Sequence, residues 1–159
     1  MPAPRFLSDR MLGKVARWLA LLGYDSRRAG EGEIDDAVLM ETARREGRVL
    51  LTRDTRMPTV AGLSVLVVRT QAFEDQLAEV LDAFGLRPDP GALFSRCTLC
   101  NEPLTEEPRE AVLAEVPEKV RLVETRFFRC PSCRRLYWSG THVERARALL
   151  ARLDARRRA

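Results

Sequence analysis

Apolar positions along the chain fall into short runs of two kinds. Val49-Leu50-Leu51-Thr52 is apolar without alternation and ends abruptly in Arg53-Asp54. An unalternating run of this length is the signature of a parallel strand covered on both faces. Arg5 to Ser8 has the same form and is followed by Asp9, Ser64 to Val68 gives a Val-rich buried strand, and Tyr24 to Arg28 a weaker one. Between these runs the apolar positions take helical spacing. Arg10 to Leu22 is stopped by Gly23, Ala37 to Glu46 by Gly47, and Phe73 to Phe84 by Gly85. The order strand, helix, strand, helix, strand, strand, helix predicts an α/β fold, a mainly parallel sheet flanked by helices. Arg87 to Gly91, with Pro88 and Pro90, reads as a linker.

In open sheets of this type ligands bind just beyond the carboxyl ends of the strands. That places Asp9, Thr52, Arg53 and Asp54 on the working edge, where carboxylates from distant parts of the chain can converge. The helix after Asp9 is nearly all apolar apart from the stripe Arg10, Lys14 and Arg17, which begins beside the carboxylate. A phosphodiester substrate calls for both features, cations to orient phosphate and carboxylates to hold metal. The same stripe also fits the wet face of a buried helix. Asp36, of the pair Asp35-Asp36, sits at the expected N-cap of the next helix, and capping alone would account for an Asp there.

Beyond the linker lie all four cysteines, Cys97-Thr98-Leu99-Cys100 and Cys130-Pro131-Ser132-Cys133. Two C-x-x-C pairs offer four thiolates at two tight turns, the donor set of a structural zinc site. A redox dithiol would use one pair and leave the other idle. Four thiolates close the coordination sphere, so this zinc would shape the fold rather than activate water. In the 29 residues between the pairs, Arg121 to Arg129 reads as a strand and Val116-Pro117 as a turn. Arg126, Arg129, Arg134 and Arg135 alternate with Phe127, Phe128, Tyr137 and Trp138. Such a mixture holds single-stranded nucleic acid, and the aromatics equally suit a small ribbon core. The lone His142 reads as a packing or capping residue. Val143 to Arg158 closes the chain as an amphipathic helix with Val143, Ala146, Leu150 and Leu153 inward.

Charge sharpens this division. Residues 1–92 carry 13 Lys and Arg against 14 Asp and Glu, residues 93–142 carry 8 against 7, and residues 143–159 carry 6 against 2, so the basic excess lies in the last segment. A basic tail suits an anionic partner such as nucleic acid, or simply a solvated helix face. The apolar stretch Met11 to Leu22 is interrupted by Lys14 and Arg17, so no membrane span or signal peptide is expected and a cytoplasmic location is.

Taken together, Phe6 to Asp9 with Met11-Leu12-Gly13-Lys14, Leu22-Gly23-Tyr24-Asp25, Leu51-Thr52-Arg53-Asp54, Cys97-x-x-Cys100-Asn101, Cys130-Pro131-x-Cys133 and Tyr137-Trp138-x-Gly140-x-His142 resemble the Mut-seven C-terminal RNase family. The resemblance implies a PIN-like α/β nuclease domain at 1–92, a zinc ribbon at 93–142 and a basic C-terminal helix at 143–159. The family's acidic positions carry over to Asp9, Asp36 and Asp54, Asp36 being preferred to Asp35 by its spacing to Ala43. For a fourth acid the sequence gives no clear match, Glu74 and Asp75 being the nearest. Arg134 departs from the Gly favoured after the last cysteine of such knuckles.

These readings combine into a metal-dependent ribonuclease. Asp9, Asp36 and Asp54 would hold Mg²⁺ or Mn²⁺, hard cations that prefer oxygen ligands. Arg10, Lys14, Thr52 and Arg53 would bind substrate, Cys97, Cys100, Cys130 and Cys133 structural zinc, and the ribbon and tail single-stranded RNA. The alternative is a non-catalytic RNA-binding adaptor. A phosphatase-like hydrolase ranks last, because the first strand lacks a paired D-x-D.

Overall fold

The computed structural model describes residues 2–159. Four parallel strands, β1 (Phe6–Ser8), β2 (Ser26–Arg28), β3 (Val49–Thr52) and β4 (Val65–Val67), lie in the order β2-β1-β3-β4. From β1 the chain passes through a 3-10 turn at Arg10–Leu12 and helix α1 (Gly13–Leu21) to β2. It then crosses by α2 (Asp36–Glu46) to β3, on the other side of β1. This reversal opens a crevice beyond the ends of β1 and β3, the place where an open α/β sheet binds ligands.

Strands this short hold because both faces are covered. Phe6 and Leu51 point to one face, where α1 supplies Val15 and Leu19 and α3 (Phe73–Ala83) supplies Leu77, Val80 and Leu81. Leu7 and Leu50 point to the other face, against Leu39 and Ala43 of α2. Each such side chain contributes about 1.5–3 kcal/mol on burial. The expected strand over Ser64 to Val68 narrows to Val65–Val67 and is half-buried, because it is the sheet edge. The expected helix from Arg10 starts as a 3-10 turn because the Asp9 carboxylate accepts from the Met11 and Leu12 amides and tightens the first turn.

At the end of α1, Gly23 has φ +95, and a Cβ there would lie 2.8 Å from the Ala92 carbonyl oxygen. Only glycine meets both conditions, and through it the linker lies against the helix, with the Phe94 amide donating to the Leu21 carbonyl.

The second sheet is antiparallel, β5 (Thr105–Glu107), β6 (Phe127–Arg129) and β7 (Leu136–Trp138) in that order. Sequence pattern alone predicts a strand over Arg121 to Arg129, but its first part is the helix α5 (Glu118–Val123). Pro117 at the N-cap position cannot continue a strand ladder, and Glu118 in the first turn favours a helix start. With α4 (Arg109–Val112), this insertion gives the ribbon a core of its own: Val112, Val116 and Phe127, backed by Val120, Leu136 and Trp138.

Helix α6 (Thr141–Arg158) returns to the first sheet. Leu149 and Leu153 join the core cluster of α1 and α3, while Val143 and Leu150, expected inward, are half-buried. The helix is turned toward α3, where Arg152 pairs with Glu74, Arg156 with Glu74 and Asp75, and Arg157 with Asp82. Glu74 and Asp75 are thus committed to this clasp and lie outside the acidic cleft. Among the described residues no helix is long and apolar enough to cross a membrane.

Candidate active site and metal centre

Asp9 and Thr52 meet across the crevice between β1 and β3. The register that pairs Ser8 with Leu51 brings the two strand ends level, and the Asp9 amide donates to the Leu51 carbonyl. The Asp9 carboxylate is held on both oxygens. Oδ1 accepts from the amides of Met11 (3.0 Å) and Leu12 (3.1 Å), and Oδ2 from Thr52 Oγ1 (2.7 Å) and the Arg53 amide (2.9 Å). Thr52 Oγ1 in turn accepts from the Asp54 amide at 3.0 Å. One hydroxyl therefore ties the tip of β3 to the first aspartate and sets the path of the chain into the next.

Asp9, Asp36 and Asp54 line a single open cleft of about 370 Å³, together with Arg10, Thr52 and Arg53. Asp54 Oδ1 accepts from the Arg56 amide at 2.8 Å. The N-cap of α2 is Asp35, not Asp36 as its position in the sequence led us to expect: Asp35 Oδ1 accepts from the amides of Ala37 and Val38. Asp36 occupies the first helical position, exposed to the cleft, and capping does not account for it. Lys14 falls elsewhere. Its ammonium lies 4.3 Å from the centroid of the Phe73 ring, on the α3 side of α1, so the polar stripe splits and only Arg10 reaches the cleft.

Glu33 also lines the cleft, and sequence reasoning gave it no part. Both its oxygens accept from Arg27, and Oε2 accepts also from the Gly30 amide. The Arg27 guanidinium is the chief cause that holds its carboxyl below the usual range. Met11, Ile34 and Leu39 complete an apolar wall beside the carboxylates.

The cysteines form a second centre. Their four sulfurs lie within 4.8 Å of one another, and Cys97 Sγ is 3.7 Å from Cys133 Sγ. Sulfurs placed tetrahedrally about 2.3 Å from zinc are separated by about 3.8 Å, so the set fits that ion. The Cys100 amide donates to Cys97 Sγ and the Cys133 amide to Cys130 Sγ, one such bond in each knuckle. Burial raises the Cys97 thiol, but the Tyr137 hydroxyl 3.0 Å away and the amides of Cys100 and Leu99 outweigh it and bring it down to about 7. Cys100 is pushed up to about 12 by burial and then by Cys133 beside it. Crowded thiols oppose one another's ionisation, a penalty that a bound dication removes. The residues that follow the knuckles, Asn101 and Arg134, have φ of +66 and +63. Arg134 thus takes the left-handed conformation in which glycine carries no Cβ penalty.

Residues 4–150 match the model of the Mut7-C RNAse domain. The chain belongs to this family. Membership in the Mut7-C RNAse domain family supports a nuclease-like function. A stretch of 102 residues, 61% of this chain, is 37% identical to the exonuclease mut-7 homolog of Homo sapiens, of which it covers 12%. The Mut7-C chain thus spans a small part of that relative's length. No solved structure matches it.

Of the aromatic and basic ribbon residues, Phe127 is core and Trp138 packs against it, with ring centroids 6.4 Å apart. Arg129 is buried and bonded to Glu107 and Glu115. It is a structural residue of the Mut7-C ribbon, not a surface cation. Sequence reading also missed the network at the junction of the two sheets. There Asp25 accepts from Arg5, Arg48 and Asn101, and Glu46 from Arg27 and Arg48. Cys100-Asn101 and Tyr24-Asp25 stand out in the sequence, but nothing in it joins them.

Proposed function

We propose that this chain is a metal-dependent ribonuclease whose catalytic residues are Asp9, Asp36 and Asp54. The observation that carries the reading is their meeting in one open cleft at the strand reversal, although they lie on three separate elements. The carboxylates are oxygen donors of the kind Mg²⁺ or Mn²⁺ prefers, and Asp36 and Oδ2 of Asp54 are engaged by no protein donor among the described residues, whereas both oxygens of Asp9 are already hydrogen-bonded and the three do not converge as the cysteine sulfurs do. When bound, such an ion would lower the pKa of a water and neutralise charge at the scissile phosphate.

The chain's own residues do the rest. Asp9 is locked in orientation by four donors, so little ordering remains when substrate arrives. Thr52 fixes Asp9 against the tip of β3 and carries Asp54 with it. Arg10 and Arg53, at the level carboxyl ends of the neighbouring strands β1 and β3, would place guanidinium groups where a phosphate backbone crosses the cleft. The cysteine quartet would hold structural zinc, and the ribbon would widen the surface open to RNA.

The test is cleavage of a labelled single-stranded RNA with and without added Mn²⁺, by the parent and by Asp9→Asn and Asp54→Asn variants that retain zinc. Metal-dependent cleavage that disappears in both variants while RNA binding persists supports the reading. Cleavage that survives both substitutions removes these residues from the chemistry. Binding without cleavage in every sample favours a non-catalytic RNA-binding adaptor instead.

A further inference from the structure

We infer that the groove between α1, the first cysteine knuckle, β7 and the start of α6 is a binding subsite for single-stranded RNA, one that feeds the acidic cleft. The groove has a volume of about 450 Å³. Trp18 lines it from α1, Tyr137 and Trp138 from β7, and the cations Arg17, Arg135 and Arg145 stand around them. Flat aromatic faces interleaved with guanidinium groups accept bases by stacking and phosphates by charge, with little regard to sequence.

Three relationships point to a strand of nucleic acid rather than a compact ligand. First, the groove is connected to the cleft. It shares Arg17 and Thr98 with a water-sized notch, the notch shares Arg28 and Leu99 with a depression of about 560 Å³, and that depression shares Arg10 with the acidic cleft.

Second, unpaired cations recur along this path, although Glu31 also lines the depression. Arg10, Arg17, Arg28, Arg135 and Arg145 all line it, and none makes an ion pair among the described residues. Some arginines elsewhere are spent internally: Arg126 on Glu106, Arg129 on Glu107 and Glu115, and Arg152, Arg156 and Arg157 on α3. Three of the tail's six arginines, which sequence alone offered as an RNA anchor, thus go to holding α6. The five unpaired arginines along the path form a track.

Third, Arg10 and Arg17 are seven positions apart, roughly 10 Å along the helical segment. A track of this kind suits a chain of phosphates better than one anion. The inference rests on the ribonuclease reading for the chemistry at the far end, and on these observations for the groove itself.

The chain's two tryptophans, Trp18 and Trp138, both line the groove, so intrinsic fluorescence reports on it directly. The experiment titrates the full-length, zinc-loaded protein with single-stranded oligo-RNA of about four and about sixteen nucleotides, a span typical of single-strand sites. No Mg²⁺ or Mn²⁺ is added, and emission and affinity are followed together. We expect the longer RNA to quench the tryptophans and to bind at least about tenfold more tightly than the shorter. Arg17→Glu and Arg135→Glu, both exposed and unpaired, should each weaken the long RNA by about tenfold and flatten its salt dependence. Arg147→Glu, exposed on α6 away from the groove, should leave binding unchanged.

Long RNA that binds without altering tryptophan emission overturns the inference. So does equal binding by the reversal variants, or equal quenching by duplex RNA. Cleavage is scored separately. A parent that quenches but never cleaves keeps the groove and sinks the ribonuclease reading, and one that cleaves with no quenching does the reverse.

Discussion

Asn101 Nδ2 donates to Asp25 Oδ1 at 2.7 Å, and its Oδ1 accepts from the Ser26 amide at 2.8 Å, so the residue that follows the first cysteine knuckle is stitched to the edge strand β2. The same residue sits at φ +66, a conformation the knuckle imposes. The cysteine cluster and the α/β sheet are mechanically linked through it. Asn101→Ala should cost about 2–4 kcal/mol, the sum of unmet buried groups and left-handed strain. Asn101→Gly removes the bonds without the strain and should cost about 1 kcal/mol less. Urea denaturation of both variants checks the difference. Stripping zinc with a strong chelator should lower the unfolding temperature of the α/β unit as well as that of the ribbon. An unchanged α/β transition would mean that the stitch carries no load.

Acid should act at this same junction. Burial raises the Asp25 carboxyl, but bonds from Arg48, Asn101 and Arg5 outweigh it and bring it from 3.8 to about 2. Arg27 first, with Arg48, brings Glu46 from 4.5 to about 2 against the opposing effect of burial. Both folded values are depressed, so the stabilisation is fully present above pH 4.5 and is lost as pH falls through about 2. Stability should therefore decline steeply between those limits, and Glu46→Gln should make the decline shallower. Arg48→Ala should be more damaging at neutral pH, by about 1–3 kcal/mol, since it removes the nearly buried donor to Asp25, Glu46 and the Phe6 carbonyl, leaving Arg5 and Arg27 as the remaining cations. Denaturation midpoints across a pH series give the slope.

What could be read from the sequence followed from its local character. The runs Phe6-Leu7 and Leu50-Leu51 announce buried parallel strands because both faces are covered, and the aspartates that follow them announce the cleft because strand ends are where such sheets work. The two C-x-x-C pairs announce the four-sulfur cluster by spacing alone. The cap of α2 could not be resolved this way. Asp35 and Asp36 are neighbours of equal capping strength, and only the backbone decides that Asp35 takes the amides and leaves Asp36 to the cleft. Lys14 shares a helical stripe with Arg10, but the 3-10 turn between them rotates it onto Phe73. The α6 clasp was invisible for another reason: ion pairs between residues some 80 positions apart have no local signature.

Asp9 and Asp36 offer a comparison that separates fold from chemistry. Asp9 caps the turn after β1 and accepts four hydrogen bonds, so Asp9→Asn disturbs structure as well as charge and should cost about 1–2 kcal/mol. Asp36 is exposed and caps nothing, so Asp36→Asn should shift stability by less than about 0.5 kcal/mol. If both serve the cleft, each should reduce RNA cleavage by about a hundredfold or more, a loss of roughly 2.7 kcal/mol or more of transition-state stabilisation. Asp36→Asn with full stability and full activity would remove α2 from the site and leave Asp9 and Asp54 as the acids to be explained.

The C-terminal helix belongs energetically to the first sheet although it follows the ribbon in sequence. Leu149 and Leu153 are 2% exposed and sit in the cluster with Phe6, Val15 and Leu81. Ending the chain after residue 140 would uncover that cluster and leave Glu74, Asp75 and Asp82 without their arginines. Leu153→Ala should cost about 2–5 kcal/mol, the range for truncating a buried leucine. Arg152→Ala breaks an exposed pair and should cost no more than about 1 kcal/mol. The burial, and not the ion pairs, should therefore dominate the attachment, and molar salt should weaken it little. Hydrogen exchange provides the check: Leu153→Ala should raise exchange in α1 and α3 together with α6, whereas exchange confined to α6 would show that the helix is a separable appendage.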